Sequence, residues 1–133
     1  MIDTGDTGFM MICSALVLLM TPGLAFFYGG MVRRKNVVNT MMTSIFVIGI
    51  ATVMWVLFGY SLAFGVDHLG IIGDLSHLGL VGLTGKVGEY ASTIPDLGFA
   101  MFQMMFAIIT PALITGAVAG RMKFKALFLF IIF

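Results

Sequence analysis

Phe102 and Phe106 stand four residues apart, so on a helix they stack one above the other on a single face, with the amide of Gln103 beside them. Two ring faces placed this way can attract a small cation through the ring quadrupole, worth ~0.5–2 kcal/mol depending on how far the cation is desolvated. The same spacing also suits phenylalanines that pack on a neighbouring helix or face lipid, so spacing by itself leaves both uses open. Other chemistry is thinner. Glycines at 70, 73, 79, 82, 85 and 88, with Lys86 after Gly85, suggest a phosphate loop, but Leu80 stands where its first glycine belongs and Val87 where Ser or Thr must follow the lysine. His68 and His77 have no matching carboxylate or cysteine cluster, so neither a metal site nor a cofactor is expected. Cys13 is the single cysteine, which excludes an intramolecular disulfide and any CxxC spacing; it reads as a small packing residue.

The elements that must position these residues are set by hydropathy. Sixty per cent hydrophobic residues, ten per cent charged and a mean hydropathy of +1.12 exceed what a water-soluble domain can cover with polar side chains. The bilayer is therefore the solvent, and no basic patch interleaved with aromatics points to nucleic acid. Residues 8–32 carry no charge and are long enough, at ~1.5 Å per residue, to cross a hydrocarbon core of ~30 Å. This run is too long for a signal-peptide core and lacks a basic residue before it, so it reads as a retained span. It stops at Arg33, Arg34 and Lys35. A second span is expected over 37–65, with Trp55 as a helix-packing residue and Tyr60 near the far interface. Residues 66–96 hold acids, both histidines and many glycines, and are expected to be a loop of irregular backbone near water, with a short interfacial helix. A third span over 97–120 is closed by Arg121, Lys123 and Lys125. Residues 126–133 are apolar but too short to cross, so they read as the start of a fourth span, and the chain as part of a larger protein.

Every basic residue except Lys86 falls in the short segments 33–35 and 121–125, whereas all the acids lie in the N-terminal tail and the 66–96 segment. The positive-inside rule places the two basic segments in the cytoplasm and the N-terminus and long loop outside. The expected architecture is thus an all-α polytopic membrane protein of the cell membrane. Pro22 and Pro111 would each free a backbone carbonyl and bend a span, and Gly116 with Gly120 forms a GxxxG spacing that lets helices approach closely.

Three segments carry a family resemblance. Residues 9–20 followed by Pro22, Gly23, Leu24, Ala25, Phe26, Phe27, Tyr28, Gly29 and Gly30, with Lys35 and Asn36 after them, closely resemble the first span of the ammonium transporter, methylammonium permease and Rhesus protein family. Gly59, Tyr60, Ser61, Leu62, Ala63, Phe64 and Gly65 resemble the end of its second span. Phe102, Gln103, Met104, Met105, Phe106 and Ala107, with the later Gly116, Ala117 and Arg121, resemble its third. The resemblance covers nearly everything except the 66–96 loop. It implies part of the first half of an eleven-helix inverted-repeat fold, assembled as a homotrimer in which each subunit encloses its own narrow apolar pore. Ammonium would be collected at an outer aromatic vestibule and lose its proton, and ammonia would cross the constriction, because a charge at the bilayer centre is expensive and the neutral species is not. An apolar bore would also exclude potassium, which has no proton to shed.

Carried over by position, Phe106 matches the vestibule ring that stacks on the recruited cation and gates the pore, Phe102 its companion, and Gln103 the polar position between them. Leu24, Phe27, Tyr28 and Leu113 match bore-lining positions. The family's pore histidines and remaining vestibule residues match nothing within these 133 residues, and His68 and His77 are not that pair. A PII-type signal protein at the cytoplasmic mouth is a partner the resemblance implies, alongside membrane lipid. Two rivals stay open at this level. A transporter-like ammonium sensor would signal through a cytoplasmic domain outside this sequence, and a membrane-embedded enzyme would need a charged or nucleophilic cluster inside a span, where none is seen.

Overall fold

The computed structural model describes residues 1–133. Helix α1 covers Thr4–Met31, α2 covers Arg34–Phe64, α3 covers Asp96–Val118, and a short α4 covers Phe124–Ile132. The first three are long and apolar enough to cross a membrane. The chain packs as two compact units, one built from Met1–Ala15 with Val53–Met104, the other from Leu16–Thr52 with Met105–Phe133.

In the first unit, α1 begins before the uncharged run does, because Asp3 caps it. Its Oδ1 accepts the backbone N–H groups of Gly5 at 2.8 Å and Asp6 at 3.0 Å, two of the donors a helix start leaves unserved. Helix α2 widens into a π turn over Trp55–Gly59 before resuming α geometry at Tyr60–Phe64. Trp55 is fixed there: its indole N–H donates to the Ala100 carbonyl at 3.1 Å, and its ring meets Tyr60 and Phe64 edge to face. It packs, as its depth in the second apolar run suggests. Around it lies the core of this unit, with Tyr60, Leu83 and Ala100 buried and Phe64, Leu80 and Phe99 against them.

The loop between α2 and α3 is more ordered than its glycine content suggests. Strands β1 (Asp67–His68) and β2 (Ile72–Gly73) pair antiparallel, a 3-10 turn spans Leu78–Leu80, and Val87 bridges to Pro95. No longer helix forms in it. The hairpin is tied to the end of α2 by side chains: Ser61 Oγ donates to the Asp74 carbonyl at 2.7 Å and accepts the His77 N–H at 3.1 Å. Gly73 is required by contact, since a Cβ there would lie 2.6 Å from the Ser61 carbonyl. Asp74 Oδ1 gathers the Ser76 hydroxyl at 2.6 Å and the N–H groups of Ser76 and Val66 at 3.2 Å each.

In the second unit the buried positions follow helical spacing. Thr21, Ala25 and Gly29 of α1, Thr40, Ser44, Val47 and Ala51 of α2, and Met105, Ile108, Ile109, Ala112 and Thr115 of α3 face inward. Most are small, which lets helices approach closely where lipid supplies no hydrophobic drive between them. Gly29 packs under Met41, whose Cγ would sit 2.8 Å from an added Cβ. Ser44 Oγ and Thr115 Oγ1 meet at 2.8 Å between α2 and α3. Each hydroxyl also reaches a carbonyl of its own helix, Thr115 that of Ala112 at 2.6 Å and Ser44 that of Thr40 at 3.2 Å. The two halves of the GxxxG spacing separate: Gly116 packs closely, but Gly120 adopts φ +70 and ends the helix, with Arg121 and Met122 N–H groups returning to the Val118 carbonyl.

The Ser76 hydroxyl, with the backbone N–H groups of Ser76 and Val66, holds the Asp74 carboxyl below the usual carboxylate range. A lowered folded value means that this contribution is fully present above the ordinary value and is lost as pH falls through the lowered one. Replacing Asp74 with Ala should therefore lower the hydrogen-exchange protection factors of Val66 and Ser76 several-fold at neutral pH, and acidification below the usual carboxylate range should do the same in the parent. Unchanged exchange at both amides would contradict the loop assignment.

Candidate functional site

Each residue singled out from the sequence has a definite place. Phe102 and Gln103 lie on the part of α3 that belongs to the first unit, both half-buried, and Phe106 lies one turn further on, in the part belonging to the second, 43% exposed. Helix α3 is unbroken from Asp96 to Val118, so the four-residue spacing does put both rings on one helix face. The carbonyl of Phe106 accepts the Thr110 hydroxyl at 2.9 Å. Pro111 follows at once, and its missing N–H leaves the Ala107 carbonyl without its helical donor.

The other four residues, Leu24, Phe27, Tyr28 and Leu113, all fall in the second unit. Tyr28 and Leu113 come together directly: the Tyr28 hydroxyl donates to the Leu113 carbonyl at 3.0 Å, joining α1 to α3. Phe27 lies beside it in sequence, its ring centroid 5.8 Å from that of Tyr28 and its side chain largely exposed. Leu24 is half-buried and Leu113 about half exposed. What sequence reading did not connect is Gly116. A Cβ there would clash with the hydroxyl end of the Tyr28 ring, so the glycine is the seat against which that ring lies. The sign was present in the family-like Gly116–Ala117 pair, but only the fold shows which ring needs the space.

The chemistry of this arrangement follows from the proton count. A phenol has one proton, and Tyr28 gives it to a carbonyl that can only accept. Its oxygen is left with lone pairs, so toward any small molecule beside it Tyr28 acts as a hydrogen-bond acceptor. Such a group suits a neutral N–H donor and offers no formal charge. The two histidines take no part: His77 holds its Nδ1 3.1 Å from the Val81 carbonyl within the loop, and His68 lies in β1. No group of three His, Cys, Asp or Glu residues is close enough to hold a metal.

Helices of this length and polarity, joined by hydroxyl and carbonyl contacts without charge, define a polytopic α-helical membrane protein. A sequence profile of the Ammonium Transporter Family matches residues 8–133, and the chain belongs to that family. It is 55% identical to an ammonium transporter of Bacillus subtilis over 95% of its own length and 31% of that protein, and 52% identical to one of Mycobacterium tuberculosis strain H37Rv over 96% and 30%. Among solved structures, Candida albicans Mep2 superposes with a TM-score of 0.85 at 28% identity, and Saccharomyces cerevisiae Mep2 with 0.84 at 30%, each over 98% of this chain and 29% of theirs. The chain thus spans about a third of the length of the curated relatives it matches. The family is one of transporters, not enzymes.

If Gly116 is the seat of Tyr28, Gly116→Ala should push the ring aside and destabilise the solubilised protein by ~1–3 kcal/mol, the usual cost of overpacking. Tyr28→Phe keeps the ring and loses only one interhelical hydrogen bond, ~0.6 kcal/mol in membrane proteins. Thermal unfolding should rank Gly116→Ala as the more damaging; the reverse order would contradict the packing described.

Proposed function

We propose that the protein carrying this chain moves ammonium across the cell membrane, recruiting the ion at an outer aromatic vestibule and passing ammonia through an apolar pore. The observation that carries this reading is the joint one of family membership and the uncharged Tyr28–Leu113 contact, which offers an acceptor and no charge. Phe106 is the ring that receives the cation, Phe102 supports it one turn away, and Gln103 supplies a polar edge. Leu24, Phe27, Tyr28 and Leu113 line the bore. Stripping ammonium of its proton removes the cost of placing a charge in hydrocarbon, and a potassium ion has no such escape.

The topology belongs to the same proposal. The N-terminus and the 66–96 loop lie outside, and segments 33–35 and 121–125 lie in the cytoplasm, following the distribution of lysine and arginine. The spans are 8–32, 37–65 and 97–120, with 126–133 opening a fourth. The assembly is a homotrimer of eleven-helix subunits, each with its own pore, and its cytoplasmic face is where a PII-type signal protein would dock.

Phe106→Ala removes one ring without altering a backbone bond. It should lower ammonium uptake at limiting concentration about two- to thirtyfold, the span expected for losing one cation–π contact, while leaving assembly unchanged. Uptake and selectivity equal to the parent in a well-assembled variant would contradict the assignment.

A further inference from the structure

The first unit contains an open cavity of about 240 Å³ that the transport reading does not use, lined by Tyr60, Phe64, His77, Glu89, Tyr90 and Asp96 among others. Its aromatic wall is tightly organised. Phe64 meets Tyr90 and Phe99 edge to face, both at 5.2 Å, Tyr90 stacks parallel on Phe99 at 5.7 Å, and Tyr60 lies 5.4 Å from Phe64. Its polar groups are acceptors. Asp96 is half-buried and held in place by the neutral Tyr60 hydroxyl at 3.2 Å, and Glu89 stands exposed at the rim. His77 contributes a ring whose Nδ1 faces the Val81 carbonyl, a group that can only accept, so Nδ1 donates there and the tautomer this selects carries its lone pair on Nε2.

From this combination we infer a binding site for a small monovalent N–H cation of the ammonium or alkylammonium class, set in the loop between α2 and α3. Ring faces favour a cation that sheds water readily, which selects an alkylammonium over sodium. Carboxylate and imidazole acceptors suit a ligand that donates several N–H bonds, and two carboxylates exclude an anion. A divalent metal lacks its donor set, since no three metal-type ligands converge. Asp96 answers the partial positive charge at the amino end of α3, and Glu89 supplies the surplus negative charge. The site shares no residue with the proposed vestibule, so it stands or falls separately from it.

The test places a fluorinated tyrosine at position 90 of the intact protein in lipid nanodiscs and follows its fluorine NMR signal. Methylammonium chloride and sodium chloride are titrated at constant ionic strength. The proposal expects a saturable shift with methylammonium and none with sodium. The shift should persist in Phe106→Ala, which lacks the vestibule ring, and its midpoint should rise about tenfold in the Glu89→Gln, Asp96→Asn double variant. Asp96→Asn retains an acceptor for Tyr60 and Glu89 is exposed, so folding is preserved; an unchanged signal at zero cation confirms it. A shift that does not saturate, that sodium reproduces, that survives removal of both carboxylates unaltered, or that vanishes with Phe106→Ala would overturn the site.

Discussion

A bilayer solvates neither charges nor unpaired backbone groups, and this structure follows from that constraint. The three long helices keep every basic residue outside their apolar stretches and place their acids only at their ends, at Asp6 and Asp96. Inside them, polar side chains turn back on their own backbone. Ser14 donates to Met10, Thr43 to Asn39 and Thr110 to Phe106, each to the carbonyl one turn earlier. A hydroxyl so committed can lie in hydrocarbon without the several-kcal/mol cost of an orphaned polar group. The exception is Thr21, fully buried beside Pro22 with no partner for its hydroxyl.

Within the second unit, the same absence of charge shifts the task of holding helices together onto shape. Small residues on α1 and α3 make room for Met41 over Gly29 and for Tyr28 over Gly116, and hydroxyls supply polar bridges between helices. This economy fits the transport proposed above. A pore wall fastened by carboxylates and cations would bind ions strongly, whereas one fastened by a phenol–carbonyl contact and a glycine seat remains apolar yet offers an oxygen to an N–H donor. The first unit is fastened in another way, by a cluster of rings around Trp55 and by the Ser61 and Asp74 hydrogen bonds, as befits a region containing a polar loop.

How much of this was legible beforehand depended on whether the signal was local. Helix positions follow from runs of apolar residues, and α1, α2 and α3 lie along the three uncharged runs. Their ends could not be read this way, because Asp3 and Gly120 act through capping geometry that hydropathy does not register. The 66–96 segment reads as irregular because its order comes from pairings distant in sequence, such as Ser61 with Asp74 and Tyr60 with Asp96. The π turn at Trp55 leaves no mark in composition. Among the proposed site residues, spacing put Phe102 and Phe106 on one helix face but left their use open, and every assigned role came from family likeness. That Tyr28 donates to Leu113 and rests on Gly116 required the fold, since nothing in the linear order links residue 28 to residue 116.

The central claim is that uncharged spans thread the membrane with both basic segments on the cytoplasmic side. Single cysteines at Thr84, in the long loop, and Met122, in the second basic segment, report on it directly in a background with Cys13→Ala and every other cysteine of the protein replaced, since both positions are exposed. With intact cells and a membrane-impermeant maleimide, the cysteine at 84 should label rapidly and that at 122 only after permeabilisation. Labelling of both from outside, or of 122 alone, would contradict the account.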